Sequence, residues 1–386
     1  MRYFSQLQTA VQLTEAYSGD VPFADFLKNF FRQHKKYGSR DRKQIAQLCY
    51  AGFRTTHAFT ALSTEDKIVA GLFLCSQAPN ELLQHLRPAW NERTTLTPQE
   101  KCAHIGSSCS MSRLFPWKNE LSEGMDADAF ALSFLVQPDL FLRLRPGYEK
   151  VVKEKLTQAK LPFRVVNEQC LALSNTSGAN AAIALDQEAV IQDYNSQRTG
   201  EMLRLFQQYH QGPAKVWDCC AGGGGKSMLA ADILSSVELT VSDIRKSVLQ
   251  NLTQRFAAAG IRNYKSFSAD LSGGAGIPNE YYDLVIADVP CTGSGTWSRT
   301  PERLSFFTAS EIDRYSALQL KIAGNAVSRL RKGGALLYIT CSVFRKENEG
   351  VVEQLCRQYN LNLQHMELLQ GYSLKADTLF AAILTA

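Results

Sequence analysis

The chain has 386 residues, 45% of them hydrophobic and 20% charged, which is too long for one ordinary core and apolar enough to bury two or three. Its formal charge of +5 is mild, so where the charge falls matters more than its total. The N-terminal segment lacks the charged-then-apolar pattern of a secretory signal and no apolar run approaches a membrane span, which points to a soluble, cytoplasmic protein. The ten cysteines form no C-x-x-C pair and no Cys/His cluster at zinc spacing, so no metal is expected and the thiols are expected reduced and mostly buried.

Residues 1 to about 125 read as helices. In "SRDRKQIAQLCYAGF" the positions Ile45, Leu48, Cys49, Gly52 and Phe53 share one helical face, with Ser39 as the expected cap and Asp41 in the first turn. Further helices are expected over Glu65 to Ser76 and Asn80 to Arg87, with Pro88 and Pro98 marking exits. Basic residues crowd this region: Lys28, Arg32, Lys35, Lys36, Arg40, Arg42, Lys43 and Arg54 face Asp41 alone. That segment reads equally as a solvated helix face or an RNA contact. The stretch 106–125 has no period and reads as a connection.

Around Leu140 the pattern turns to alternation, with Phe141, Arg143 and Arg145 on one face of a strand and Leu142 and Leu144 on the other. A helix from Tyr148 to Leu161 and short strands at 163–166 and 170–173 complete a small α+β unit. Its arginine face suits a phosphate backbone, although arginines of this kind more often solvate a strand. From Lys215 onward apolar strands alternate with helical stretches, the signature of a doubly wound parallel sheet. Strands are expected at Lys215 to Asp218, Leu239 to Asp243, Tyr264 to Ala269, Tyr282 to Asp288 and Ala335 to Thr340, with a final pair near Leu361 to Leu368 and Leu379 to Leu384. A helix is expected from Ile312 to Arg331.

The first of these strands runs into "DCCAGGGGKS", Asp218 to Ser227. Consecutive glycines between strand and helix let backbone approach a ligand and leave the helix N-terminus facing it. A P-loop would need Gly where Cys220 stands, and a dinucleotide fingerprint would need Gly where Ser227 stands. Each of the next three strands ends in an acid: Asp243, Asp270 and Asp288. A carboxylate at the end of the second strand suits ribose hydroxyls, which is the role Asp243 fits. Two later strands also end at thiols, Cys291 in "IADVPCTGSG" and Cys341 in "LLYITCSVF". Open α/β sheets bind ligands at such strand tips, so both thiols face one crevice.

These segments, with "VSDIRKSVLQNL", "FSADLSG" and "LRKGGALLYITCSVFRKENE", appear in the order of the RsmB/Nop2/Sun-type RNA cytosine-C5 methyltransferases, which the chain resembles from Pro138 to Ala386. "VIQDYNSQ" is similar to the Q-D-x-x-S-Q element that precedes the family's catalytic domain. "YGSRDRKQIAQLCYAGFR" more weakly resembles the NusB-like RNA-binding module fused to some members. The resemblance implies a Rossmann-like class I methyltransferase sheet over 199–386, a small RNA-recognition-like unit over 126–198 and an abbreviated helical domain over 1–125.

It further implies S-adenosyl-L-methionine as cofactor, RNA as partner with ribosomal RNA favoured, and a monomer. Cys220, Ala221, Gly222, Gly223, Gly224, Gly225 and Lys226 would wrap the methionine end of the cofactor, Asp243 the ribose and Asp270 the adenine. Asp288 would lie by the donor amine and the reacting base. Cys341 matches the nucleophile and Cys291 the cysteine that resolves the adduct. Arg143, Arg145, Arg299 and Arg345 are the expected RNA contacts. Two other readings compete: a ribosome-assembly factor that kept the fold without the reaction, and a DNA cytosine methyltransferase whose Pro-Cys thiol attacks. The chain departs from the family at Gly223 and Arg345, where Pro is usual, and at Thr385-Ala386, where a basic residue closes the last strand.

Overall fold

A computed structural model describes residues 2–175, 177–234 and 236–386, and the chain forms two compact units. The first comprises Met1–Asn119, Met125–Gln137 and Thr296–Ala309; the second comprises Glu120–Gly124, Pro138–Gly295 and Ser310–Ala386.

The first unit is helical. Helices Arg2–Ala16, Phe23–Gln33, Ser39–Arg54 and Thr64–Cys75 gather around Leu7, Phe23, Phe31, Leu48, Phe53 and Phe73. Burying each such side chain contributes roughly 1.5–3 kcal/mol before entropy is subtracted. Ile45, Leu48, Cys49, Gly52 and Phe53 all turn inward, as their spacing requires. The cap of that helix is Gly38 and not Ser39; Asp41 reaches back to accept from the Gly38 N–H at 3.2 Å. Ser63 and Asn80 cap helices Thr64–Cys75 and Glu81–Leu86, accepting from Asp66 N and Leu83 N. Pro88 and Pro98 open helices, Pro88–Asn91 and Pro98–Ile105, where the sequence suggested exits. Proline lacks the N–H that a first helical residue leaves unpaired anyway, so the same residue can end one element and start the next. Cys102 and Cys109, expected as reduced thiols, form a disulfide with Cα atoms 5.4 Å apart. The turn at Gly106 folds the exit of the Pro98–Ile105 helix back far enough to bring them together. Among the described residues no helix is long and apolar enough to cross a membrane.

The second unit carries two sheets. The smaller consists of β1 (Leu140–Leu144), β2 (Phe163–Asn167), β3 (Cys170–Leu173) and β4 (Ala189–Ile191), in the antiparallel order β2-β3-β1-β4, with helix Glu149–Gln158 against one face. Leu142 and Leu144 pack with Val152 and Leu156 of that helix, while Phe141 turns the other way to Cys170, Ala172 and Tyr194. Both faces are therefore covered, and the arginine side is not a solvated one.

The larger sheet consists of β5 (Ala214–Asp218), β6 (Val237–Asp243), β7 (Tyr264–Ser268), β8 (Tyr282–Asp288), β9 (Leu330–Thr340), β10 (Asn362–Leu369) and β11 (Leu379–Thr385). Its order is β10-β11-β9-β8-β5-β6-β7, with β5 to β9 parallel and β11 antiparallel to both neighbours. This is the Rossmann-like class I methyltransferase arrangement. Helices Gly200–Tyr209, Gly225–Ile233 and Lys246–Ala258 cover one face through Phe206, Met228 and Phe256. Helices Ser310–Val327 and Glu349–Tyr359 cover the other through Ile322, Ala326, Val351 and Leu355. The long helix stops at Val327 and not at Arg331, because Leu330 already pairs with Tyr282 in the sheet. The chain builds outward from β5 through β6 to β7 and then returns to place β8 on the other side of β5, so the switch point lies where β5 and β8 end side by side.

Candidate active site

Each site residue is placed by the parallel register of β6, β5, β8 and β9. Trp217 and Val216 anchor the end of β5 in the two cores, and the chain then leaves the sheet at Cys219. Ala221 N donates to Ser242 O at 2.9 Å and Gly222 N to Asp243 Oδ2 at 3.0 Å, fixing the glycine turn onto the end of β6. Gly222 takes φ +51° with open space where a side chain would stand, so a ligand can approach the backbone there. Gly224, at φ +80°, has no such room: a Cβ would lie 2.5 Å from the Phe256 ring. One glycine thus leaves a cradle and the other lets the turn sit down on the core. Gly223 contributes its carbonyl to Arg255 Nη1 at 2.6 Å, Gly225 opens the helix, and Cys220 is half-buried beside them.

Asp243 is buried and accepts from Arg245 N at 2.9 Å and Arg245 Nε at 3.1 Å. Burial pushes its carboxyl up, but the Arg245 guanidinium and these N–H donors outweigh that and hold it below the usual range. The acceptor fits a ribose, since a carboxylate kept ionised accepts from hydroxyls, and the exposed Arg245 side chain pairs with Asp243 there. Asp270 lies past the end of the neighbouring β7, where one oxygen accepts from Ser272 Oγ at 2.6 Å and Ser272 N at 3.0 Å. These bonds lower its pKa and shape its own turn.

Asp288 ends β8 opposite Ile339 of β9, so Cys291 and Cys341 follow from adjacent, parallel strand ends. Their sulfurs lie 3.2 Å apart. The neighbouring Cys341 sulfur and burial push the Cys291 thiol well above its usual range. Asp288 accepts from Lys226 Nζ at 2.9 Å, and the same ammonium donates to Ser196 Oγ at 2.8 Å. Ser196 in turn accepts from Gln192 Nε2 at 3.1 Å. The Q-D-x-x-S-Q element therefore holds the lysine that holds Asp288. Asp193 of that element accepts from Asp377 N at 3.0 Å, and Asn195 donates to the carbonyls of Leu369 and Asp377, which fastens the element to β10 and β11.

The two thiol loops are also stitched directly. Gly295 N donates to Cys341 O at 2.9 Å and Gly295 O accepts from Thr378 N at 3.0 Å. Ser294 Oγ accepts from Val343 N at 2.9 Å. Glu347, fully buried, accepts from Thr292 N at 2.9 Å, Thr292 Oγ1 and Ser342 Oγ at 2.6 Å each, and Gln319 Nε2 at 2.8 Å. Sequence reasoning did not single out Glu347, Gln319 or Ser196. Glu347 lies in the charged run Arg345-Lys346-Glu347-Asn348-Glu349, where nothing in the sequence marks it from its neighbours.

The structure departs from the expectation for Arg143 and Arg145. Arg143 donates to Gln192 Oε1 and pairs with Asp232, and Arg145 donates to Asp232 at 2.8 Å and to the carbonyls of Asp186 and Ala259. With Arg143 and Asp232 side chains only 5% and 6% exposed, this is an internal strut between the small sheet and helix Gly225–Ile233, not a surface for RNA. A polar cavity of about 320 Å³ adjoins it, lined by Asn167, Gln169, Arg198, Glu201 and Arg204 at the far end of that helix from the glycine turn. Arg345 is exposed after Cys341 with Glu123 3.5 Å away, whereas Arg299 belongs to the first unit.

Residues 207–381 match the family model described as 16S rRNA methyltransferase RsmB/F. Ribosomal RNA small subunit methyltransferase B of Xanthomonas campestris is 27% identical over 227 residues, 55% of this chain and 50% of its own. The tRNA (cytosine(72)-C(5))-methyltransferase NSUN6 of Mus musculus is 30% identical over 167 residues, 40% of this chain and 34% of its own. This chain thus spans half the length of the first relative and a third of the second. The crystal structure of PH0851 shares the fold, with a TM-score of 0.70 at 17% identity, covering 100% of this chain and 98% of its own. The glycine turn, Asp243, Asp270, Asp288 and both strand-end thiols all fall within residues 207–381, the part of the chain that is similar to this methyltransferase family.

Proposed function

We propose that this protein transfers a methyl group from S-adenosyl-L-methionine to C5 of a cytosine in RNA, with ribosomal RNA the favoured substrate, in the cytoplasm. The observation that carries this reading is the pair of sulfurs 3.2 Å apart at two parallel strand ends, with Asp288 at the tip of one of those strands. The cofactor supplies an electrophilic methyl group; Gly222 and its neighbours would hold the methionine end, Asp243 the ribose and Asp270 the adenine side.

The chain's own residues account for the remaining steps. Cys341 stands where the resemblance puts the nucleophile, and as thiolate its sulfur would add to C6 of the cytosine. The addition makes C5 nucleophilic enough to accept the methyl group. Asp288, held by Lys226, would accept from the N3–N4 edge of the base as that edge gains its proton. The C5 proton then leaves to a water that Cys291 orders, or to the Cys291 thiolate after its own proton has passed to solvent; the C5–H electron pair forms the C5–C6 double bond, and the C6–S pair leaves with Cys341 as thiolate. A base inside a duplex cannot reach these sulfurs, so the target is single-stranded or flipped. The domains are proposed as helical over 1–125, small and RNA-recognition-like over 126–198, and catalytic over 199–386, with Arg299 and Arg345 the arginines left for RNA.

A labelled methyl-transfer assay on total RNA tests the reading. Cys341→Ala is expected to abolish transfer, and Cys291→Ala to accumulate a covalent protein–RNA adduct. Full activity of Cys341→Ala removes that residue as nucleophile, and no transfer by the unaltered chain to any RNA favours a non-enzymatic assembly role.

A further inference from the structure

We propose that Glu347 is the positioning residue of the thiol pair: its carboxylate ties the residue after Cys291 to the residue after Cys341 and so sets the two sulfurs against each other. This rests on the methyltransferase reading above. One oxygen accepts from the hydroxyls of Thr292 and Ser342, and the other from Thr292 N and Gln319 Nε2. Gln319 Nε2 also reaches Pro290 O at 3.0 Å, on the near side of Cys291. On the other strand, Asn348 accepts from Thr340 Oγ1 and donates to Ser342 O, so the residues on both sides of Cys341 are fixed as well. Tyr338 OH donates to the main-chain oxygen of Glu347 at 2.6 Å and holds this segment over the sheet.

The donors that reach the carboxylate are all neutral. A buried charge without a cationic partner is expensive, and a neutral side chain would join the same hydroxyls at less cost. The carboxylate is bonded to the residue that follows each thiol, Thr292 and Ser342. A negative group near Cys291 disfavours its thiolate, in the same direction as the neighbouring Cys341 sulfur. Burial pushes the Glu347 carboxyl up, and its four donors oppose that by stabilising the ionised form.

The test uses the full chain without RNA and then with it. Limiting iodoacetamide is applied at one near-neutral pH, and mass spectrometry reads how label divides between Cys341 and Cys291. The unaltered chain is expected to take label mainly on Cys341. Glu347→Gln is expected to move the ratio toward Cys291 by about tenfold and to lower kcat for methyl transfer by at least about tenfold while KM for RNA changes less than about twofold. Glu347→Asp keeps the charge and is expected to keep the labelling ratio while losing kcat through its shorter reach. Thr292→Val removes one donor with little change of shape and is expected to lower kcat with KM held, which decides the matter if Glu347→Gln does not fold. An unchanged labelling ratio with kcat within about twofold of the unaltered chain, or an unchanged kcat in Thr292→Val, overturns the proposal. Failure of the methyltransferase reading looks different: no RNA is methylated by any form, while the labelling ratio still responds to Glu347→Gln.

Discussion

Asp218 shows how much a single residue can hide in a recognisable motif. It reads in sequence as the first letter of the glycine run, yet the structure buries it completely at the end of β5. One oxygen accepts from Ser227 Oγ at 2.6 Å and the other has no hydrogen-bond partner among the described residues. Burial raises its pKa from 3.8 to about 7. A carboxyl with a raised folded pKa favours the fold while protonated, and that contribution is lost as pH rises from about 4 through about 7. Asp218→Asn cannot titrate, so melting curves across that window should show the unaltered chain losing stability relative to the variant by up to ~1.4 kcal/mol per pH unit. A constant difference between the two would refute the assignment. Cys291 and Cys341 were legible because a strand end is a local feature. The burial of Asp218 and the bonds of Glu347 to Thr292 and Gln319 depend on residues brought together from afar, and only the fold says which.

At the scale of elements, periodicity located most of the strands and helices but not what covers them. Alternation in β1 correctly separates Phe141 from Leu142 and Leu144. It could not reveal Asp232, which arrives from a helix of the other sheet and takes both arginines. Removing one partner from a buried ion pair leaves the other uncompensated, so Asp232→Ala should destabilise the second unit by ~3–5 kcal/mol in a denaturant titration. A loss below about 1 kcal/mol would mean the strut behaves like a surface pair. Proline was similarly ambiguous: Pro88 and Pro98 were visible as boundaries, but whether a boundary is an exit or an entrance depends on the next residues finding a surface to pack on.

At the scale of the whole molecule, the first unit is not one continuous stretch. Thr296–Ala309, which follows the Cys291 loop in sequence, supplies Trp297 against Trp117, Phe306 against Tyr17, and the Leu304 carbonyl 2.8 Å from His57 Nε2. A chain ended at Gln137 should therefore bind an apolar dye such as anilinonaphthalene sulfonate and melt with reduced cooperativity. Dye binding no greater than that of the full chain would show that the helices close without the segment. No reading of the first 125 residues could have anticipated this, because the missing part of the core is encoded far downstream.

That separation constrains how the protein is made. A ribosome delivers the helices first, but residues 296–309 emerge only after β5 to β8 and Cys291 have been synthesised. The contacts that Trp297 makes with Trp117 and Phe306 with Tyr17 can form only after most of the parallel sheet has left the ribosome, so the last part of the first unit's core is laid down after the sheet that follows it in sequence.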